Sequence, residues 1–272
     1  MRVQKPLNLL WLVPGLLSAA VCLKASAATE PPACSFAPVP ETTIQQGGEL
    51  PGELEVLSWN IQKAKNPGWA EDLASFSQDI DLAFIQEASM QAHIPQAIPQ
   101  DLYSNFAAGY TTANRATGVL TLSIGIPSGH CELTAREPWL GTLKATSITA
   151  YRLQDREDRL LAINLHAINF DLGLQSFHSQ FEALREVLAS HQGPIILAGD
   201  LNTWSEGRQS LVDDFLLEYG LGSVSFEPDL RTRAFGHALD HIYIRGLRAD
   251  EAKVIPVSSS DHNALRVKLG VI

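Results

Sequence analysis

The stretch Pro194-Ile195-Ile196-Leu197-Ala198-Gly199-Asp200-Leu201-Asn202 is an apolar run that buries as a strand and stops abruptly on a carboxylate and a carboxamide. The ending recurs. Glu55–Trp59 runs into Asn60, Asp81–Gln86 into Glu87, and Leu160–Leu165 into His166. Two later strands begin the same way, with Asp240-His241 before Ile242-Tyr243-Ile244 and Asp261-His262 before Ala264–Val267. In a mixed sheet, the ends of strands running one way share an edge with the starts of strands running the other. Six such strands deliver Asn, Glu, His, Asp, Asn, Asp, Asp and His to one rim. Each residue alone has a bland reading: a turn or cap aspartate, an acid opening a helix at Glu87, a satisfied core histidine at His166. Local capping does not account for all six segments at once.

Asp, Glu and Asn oxygens are hard ligands, suited to Mg²⁺, Mn²⁺ or Ca²⁺. Cys-x-x-Cys pairs and the helical His-Glu-x-x-His pattern are absent, which argues against zinc. Glu87 and Asn60 are placed to hold one cation, which would act as a Lewis acid on a phosphoryl oxygen. Asp200 is the leading base for an attacking water, with Asn202 fixing its orientation or the phosphate. His262 donates to a phosphoryl oxygen when protonated, and Asp240 is the carboxylate expected to raise its pKa.

Residues 1–27 carry Arg2 and Lys5, an apolar run from Leu7 to Leu23, and Ala25-Ser26-Ala27. That is the layout of a cleaved signal peptide, and hence of a periplasmic or secreted protein, with an uncleaved membrane anchor as the alternative. Cleavage would remove Arg2, Lys5 and Lys24 and no acid, taking the formal charge from −10 to −13. An acidic chain gains little from non-specific attraction to long polyanions. Cys34 and Cys131 would then remain, either as a disulfide or as two unrelated thiols.

Residues 28–52 are rich in Pro, Gly, Thr and Glu and read as a flexible tail; residues 53–272 read as one domain. Helical spacing predicts one helix over Leu174–His191, a second from about Gly207 to Tyr219, and a shorter one over Trp69–Phe76. Gly118–Ile124, Lys144–Leu153 and Ala252–Val257 read as further strands, and 154–158 as a hairpin loop. Many strands with a few helices between them predict two packed sheets with helices outside.

The ordered pieces resemble the endonuclease/exonuclease/phosphatase superfamily, from about Glu53 to the C-terminus. Ser58-Trp59-Asn60-Ile61-Gln62 is similar to its first motif and Ile85-Gln86-Glu87 to its second. Ala198–Asn202 carries Gly-Asp-x-Asn, Leu239-Asp240-His241-Ile242 the next segment, and Ser260-Asp261-His262 the closing Ser-Asp-His. The resemblance implies an α/β DNase I-like four-layer sandwich: two mixed or antiparallel sheets with helices on the outer faces. It implies a metal-dependent phosphohydrolase with Glu87, Asn60 and Asp261 at the metal. Asp200, Asn202, His262, His166 and Asp240 would be catalytic. His166 stands where DNase I and the sphingomyelinases have His, whereas Asn169 matches the abasic-site endonucleases. Trp59-Asn60-Ile61-x-Lys63, His166-Ala167-x-Asn169-Phe170 and Arg233-Ala234-Phe235-Gly236 resemble the bacterial YafD-type branch, which brings no substrate with it. Asn169, Lys63, Arg231 and Arg233 would extend the phosphate site, with solvated surface charge as the other reading of the basic residues. The expected partner is a phosphate ester: nucleic acid, phospholipid head group or small ester. No obligate protein partner is implied, and a non-catalytic phosphate-binding module is the rival class.

Overall fold

The structure, a computed structural model, describes Cys34, residues 48–171 and residues 173–272. The signal segment expected at 1–27 lies outside these residues, as does most of the tail expected at 28–52. The end of that tail is part of the fold. Leu50 is fully buried and forms a parallel bridge to Leu153, and Gly48 packs against Ile126. Leu50 buries because it joins Leu54 and Leu153 in the core, a long-range contact that local composition does not report.

In chain order the strands are β1 (Glu53–Asn60), β2 (Leu82–Ser89), β3 (Tyr103–Thr112), β4 (Arg115–Ser123), β5 (Pro127–Arg136), β6 (Leu143–Arg152), β7 (Arg159–His166) and β8 (Ile195–Asp200). Then follow β9 (Gly222–Ser223), β10 (Arg233–Ala234), β11 (His237–Ala238), β12 (Asp240–Arg245), β13 (Leu247–Ile255) and β14 (Ala264–Val271). The α-helices are α1 (Trp69–Phe76), α2 (Gln175–Glu182), α3 (Arg185–Ser190) and α4 (Glu206–Leu217). One sheet runs β13-β14-β1-β2-β4-β3 and the other β5-β6-β7-β8-β12-β9, with β10-β11 a separate hairpin.

Only two pairs are parallel among the named strands of the two sheets, β1 with β2 and β7 with β8. A parallel pair needs a crossover. Here α1 supplies the first, and α2 with α3 supplies the second. Each pair therefore sends two strand ends to the same edge, where the antiparallel neighbours β14 and β12 begin.

Side-chain alternation builds the layers. In β8, Ile196 and Ala198 face the other sheet, whereas Ile195 and Leu197 face the helices. Leu54 and Val56 of β1 likewise face inward, and Leu57 and Trp59 pack toward α1. Helices α2, α3 and α4 cover the other outer face through Phe177, Phe181, Val187, Leu188 and Phe215. The helix predicted over 174–191 is thus two pieces. At the join Leu184 N–H donates to Phe181 C=O, a tightened turn that keeps both helices on the sheet.

Candidate active site

Continuing the inward alternation past the last apolar residues produces the site. On β7, Leu160 and Ala162 are followed on the same face by Asn164 and His166; on β8, Ile196 and Ala198 by Asp200; on β1, Leu54 and Val56 by Ser58 and Asn60. The register then aligns them: His166 lies opposite Asp200, and Asp200 opposite Asp240. These polar residues are the rim of the inter-sheet core. Below them Gln86 and Asn164 form a buried layer, with Gln86 Nε2 donating to Asn164 Oδ1 at 2.9 Å.

Asn60 Nδ2 donates to Asp200 Oδ2 at 2.9 Å, joining the two sheets. Asn202 N–H donates to Asp200 Oδ1 at 3.1 Å, while its side-chain amide donates to the Ala167 carbonyl. The closing Ser-Asp-His segment is fixed at both ends. Ser260 Oγ donates to the Asn60 carbonyl at 2.7 Å, and Trp59 Nε1 donates to the His262 carbonyl at 2.9 Å. His262 Nδ1 then lies 2.7 Å from Asp240 Oδ2, and Nε2 lies 3.9 Å from Asp200 Oδ2.

Burial alone would lower the His262 pKa, but the Asp240 and Asp200 carboxylates outweigh it and raise it to about 10. Burial pushes the Asp200 carboxyl upward, against the pull of His262. His166 Nε2 lies 3.4 Å from Asp200 Oδ2 and 2.8 Å from Lys144 Nζ. Burial and then the Lys144 ammonium drive the His166 pKa well below its ordinary value, so the imidazole is neutral and accepts from Lys144. Its contact with Asp200 is accordingly not an ion pair.

Asp200, Asp240 and His262 offer ligand atoms within 4.8 Å of one another. A charged imidazolium donating to Asp240 is nonetheless a poor ligand, and the trio has the arrangement of an acid/base relay, with His262 hydrogen-bonded to Asp240 and 3.9 Å from Asp200. Glu87 is placed differently. Strict alternation would send it after Ala83 and Ile85 into the α1 layer. A bulge between Ile85 and Ala88, with Glu87 at φ 50°, turns it into a cavity instead. The strand therefore continues past Glu87 to Ser89. That cavity, about 360 Å³, is lined by Lys63, Glu87, Glu137, Lys144, His166 and Asn169 among others. Lys63 Nζ meets Glu87 Oε2 at 2.6 Å. Asp200, Asp240 and His262 do not line it, and His166 is its link to them.

Three expected residues lie elsewhere. Asp261 is exposed, accepts from Gln62 Nε2 at 2.6 Å, and is not among the residues that line the cavity with Glu87. Arg231 and Arg233 both bind Asp229, at 2.9 and 2.5 Å, and neither lines the cavity of Glu87 and His166. Arg231 also reaches His241 Nδ1 at 3.1 Å and braces the strand that carries Asp240. Asn169 lines the cavity, and its backbone N–H donates to Glu137.

The motif-based reading does not include Lys144, Glu137 or Arg208. A lysine opening the apolar strand β6 was the only local signal for Lys144. Arg208 is fully buried and, among the described residues, makes no ion pair with a carboxylate. Its guanidinium donates to the carbonyls of Ile168, Asn169, Asp171 and Asn202 and stacks on Phe177 and Trp204. It ties the loop after β7 to the loop after β8.

Residues 57–262 match the endonuclease/exonuclease/phosphatase family. A UPF0294 protein of Vibrio parahaemolyticus is 39% identical over 79% of this chain and 77% of its own length. A UPF0294 protein of Erwinia tasmaniensis is 36% identical over 85% of this chain and 90% of its own. Among solved structures, an endonuclease/exonuclease/phosphatase from Bacteroides vulgatus matches with a TM-score of 0.63 at 13% identity, covering 81% of this chain and 99% of that one. TDP2 from Caenorhabditis elegans, truncated, matches at 0.57 and 17% identity, covering 82% and 99%. At such identities the structures show a shared fold, the DNase I-like sandwich of two six-stranded sheets. Family match, relatives and fold agree: this chain belongs to the endonuclease/exonuclease/phosphatase family.

Proposed function

We propose that the protein is a divalent-metal-dependent phosphoric ester hydrolase acting on phosphodiesters. The observation that carries the reading is the convergence of Asn60, His166, Asp200, Asp240 and His262 from separate segments onto one buried rim, with Asp200 touching four of the elements that meet there. Asp200, oriented by Asn60 and Asn202, takes the proton of a water attacking in line at phosphorus. His262, held charged by Asp240, donates to a phosphoryl oxygen. Lys144, at the wall of the polar cavity, adds positive charge beside His166.

The donor set fits a hard cation: Glu87 offers a carboxylate turned into a polar cavity and already paired with the ammonium of Lys63, and Asn60 offers an amide oxygen. Mg²⁺ is the ion inferred, with Mn²⁺ or Ca²⁺ as alternatives; bound there, it would polarise a phosphoryl oxygen and stabilise the leaving oxyanion. A periplasmic or secreted location is part of the proposal, supported by the disulfide between Cys34 and Cys131 and by the layout of residues 1–27.

Hydrolysis of bis(p-nitrophenyl) phosphate with and without Mg²⁺ and a chelator tests the reading. Asp200→Asn and His262→Gln are each expected to lower kcat by roughly 10²–10⁴, and chelation to abolish turnover reversibly. Turnover that survives either substitution overturns the mechanism.

A further inference from the structure

A second cavity, about 660 Å³, adjoins the rim and has a different character. It is walled mainly by Trp139, Leu140, Phe170, Trp204, Phe235 and Leu239, and among the described residues no charged side chain lines it. Five separate connections supply these residues: the β5–β6 turn, the loops after β7 and β8, the β10–β11 turn, and Leu239 between β11 and β12. Several stand in solvent at a cost that folding does not require, Phe235 at 88% and Trp139 at 71% exposure. Trp204 is braced within this wall. It is stacked on Arg208, 4.4 Å from the ring centroid, and meets Phe235 edge-on at 6.1 Å.

The groove is continuous with the catalytic rim. Asn202, whose N–H donates to Asp200, forms part of its floor. Leu140, Asn169 and Phe170 separate it from the polar cavity of His166 and Lys144 and line both. A phosphate at the rim therefore has one ester arm directed into an apolar channel. A polynucleotide would place its next phosphate there, against a wall lined by neither Arg231 nor Arg233 nor any other cation among the described residues. The chain's acidic balance disfavours that further. An alkyl chain meets none of these penalties.

We propose that this groove holds the acyl chain of a phospholipid whose phosphate lies at Asp200 and His262. The assignment rests on the phosphoesterase reading of the rim and names its substrate class.

Calorimetry with the full chain and Mg²⁺ tests it, comparing octyl phosphate below its micelle concentration with ethyl phosphate. Each buried methylene tightens binding about fourfold, so even partial burial of the chain predicts a preference for octyl phosphate of about 30-fold or more. Phe235→Ser and Trp139→Ser, both at exposed positions and checked for an unchanged melting temperature, are expected to cut that preference at least fivefold. Phosphatidylcholine vesicles are expected to bind the unaltered chain and to lose binding with Phe235→Ser. Equal affinity for the two alkyl phosphates, or a preference that survives both substitutions, overturns the proposal. Tighter binding of thymidine 5′-monophosphate than of octyl phosphate also overturns it, by assigning the aromatic wall to base stacking. Octyl phosphate binding without vesicle binding overturns the phospholipid as the source of the chain. Turnover of bis(p-nitrophenyl) phosphate, followed in parallel, reports on the phosphoesterase reading separately.

Discussion

Asp229 illustrates how a single side chain outside the rim supports it. It binds Arg231 through both carboxylate oxygens and Arg233 through one. The Arg231 hydrogen bond, opposed by partial burial, lowers its pKa from 3.8 to about 2. A depressed carboxylate pKa contributes stability above the unfolded value and loses it as pH falls through the folded one. Asp229→Asn is therefore expected to lower stability by about 1–2 kcal/mol near neutrality, with the gap from the unaltered chain closing between pH 4 and pH 2. Melting temperatures across that range check it, and a gap independent of pH would refute the ion-pair account. Because Arg231 also contacts His241, beside Asp240, the same substitution is expected to loosen the acid/base relay.

Among the elements, β8 is the most constrained. Gly199 sits at φ 152° beside β7, where a Cβ would collide with the Leu165 carbonyl oxygen. Gly199→Ala is expected to cost about 2–3 kcal/mol and to misplace Asp200, read as a lower melting temperature together with lost turnover. A fully active, equally stable variant would contradict the close approach. This strand was legible from its residues because its apolar run and polar ending share one span. The same holds for β1 and β7, and α1 was placed at Trp69–Phe76 from spacing alone. Strand β3 was not legible: it is an edge rich in Ser, Ala, Gly and Thr, with six of its ten residues exposed. The Glu87 bulge was equally invisible, since it depends on the register against β4. The roles of Lys144 and Arg208 are not legible from the sequence for a related reason. Their partners are backbone carbonyls and side chains on distant elements, which no local pattern encodes.

At the scale of the molecule, the Cys34–Cys131 disulfide joins chain positions 97 residues apart, with Cα atoms 5.7 Å from each other. It ties Cys34 to β5, an edge strand of the second sheet. Closing so long a loop restricts the unfolded chain. Cys34→Ser with Cys131→Ser is expected to lower stability by about 2–4 kcal/mol, visible as an earlier denaturation midpoint, while leaving phosphoester hydrolysis in place. An unchanged midpoint would show that the cross-link contributes nothing to the folded domain.

The hydrogen bond between Asn60 and Asp200 bridges the two sheets at the spot where a substrate phosphate would dock. Whatever occupies that seam stitches one half of the sandwich to the other, so its binding energy resists separation of the whole body. Saturation at a hundredfold excess over Kd would add about 2.7 kcal/mol. Survival of the entire polypeptide under a broad-spectrum protease thus becomes a gauge of how full the seam is.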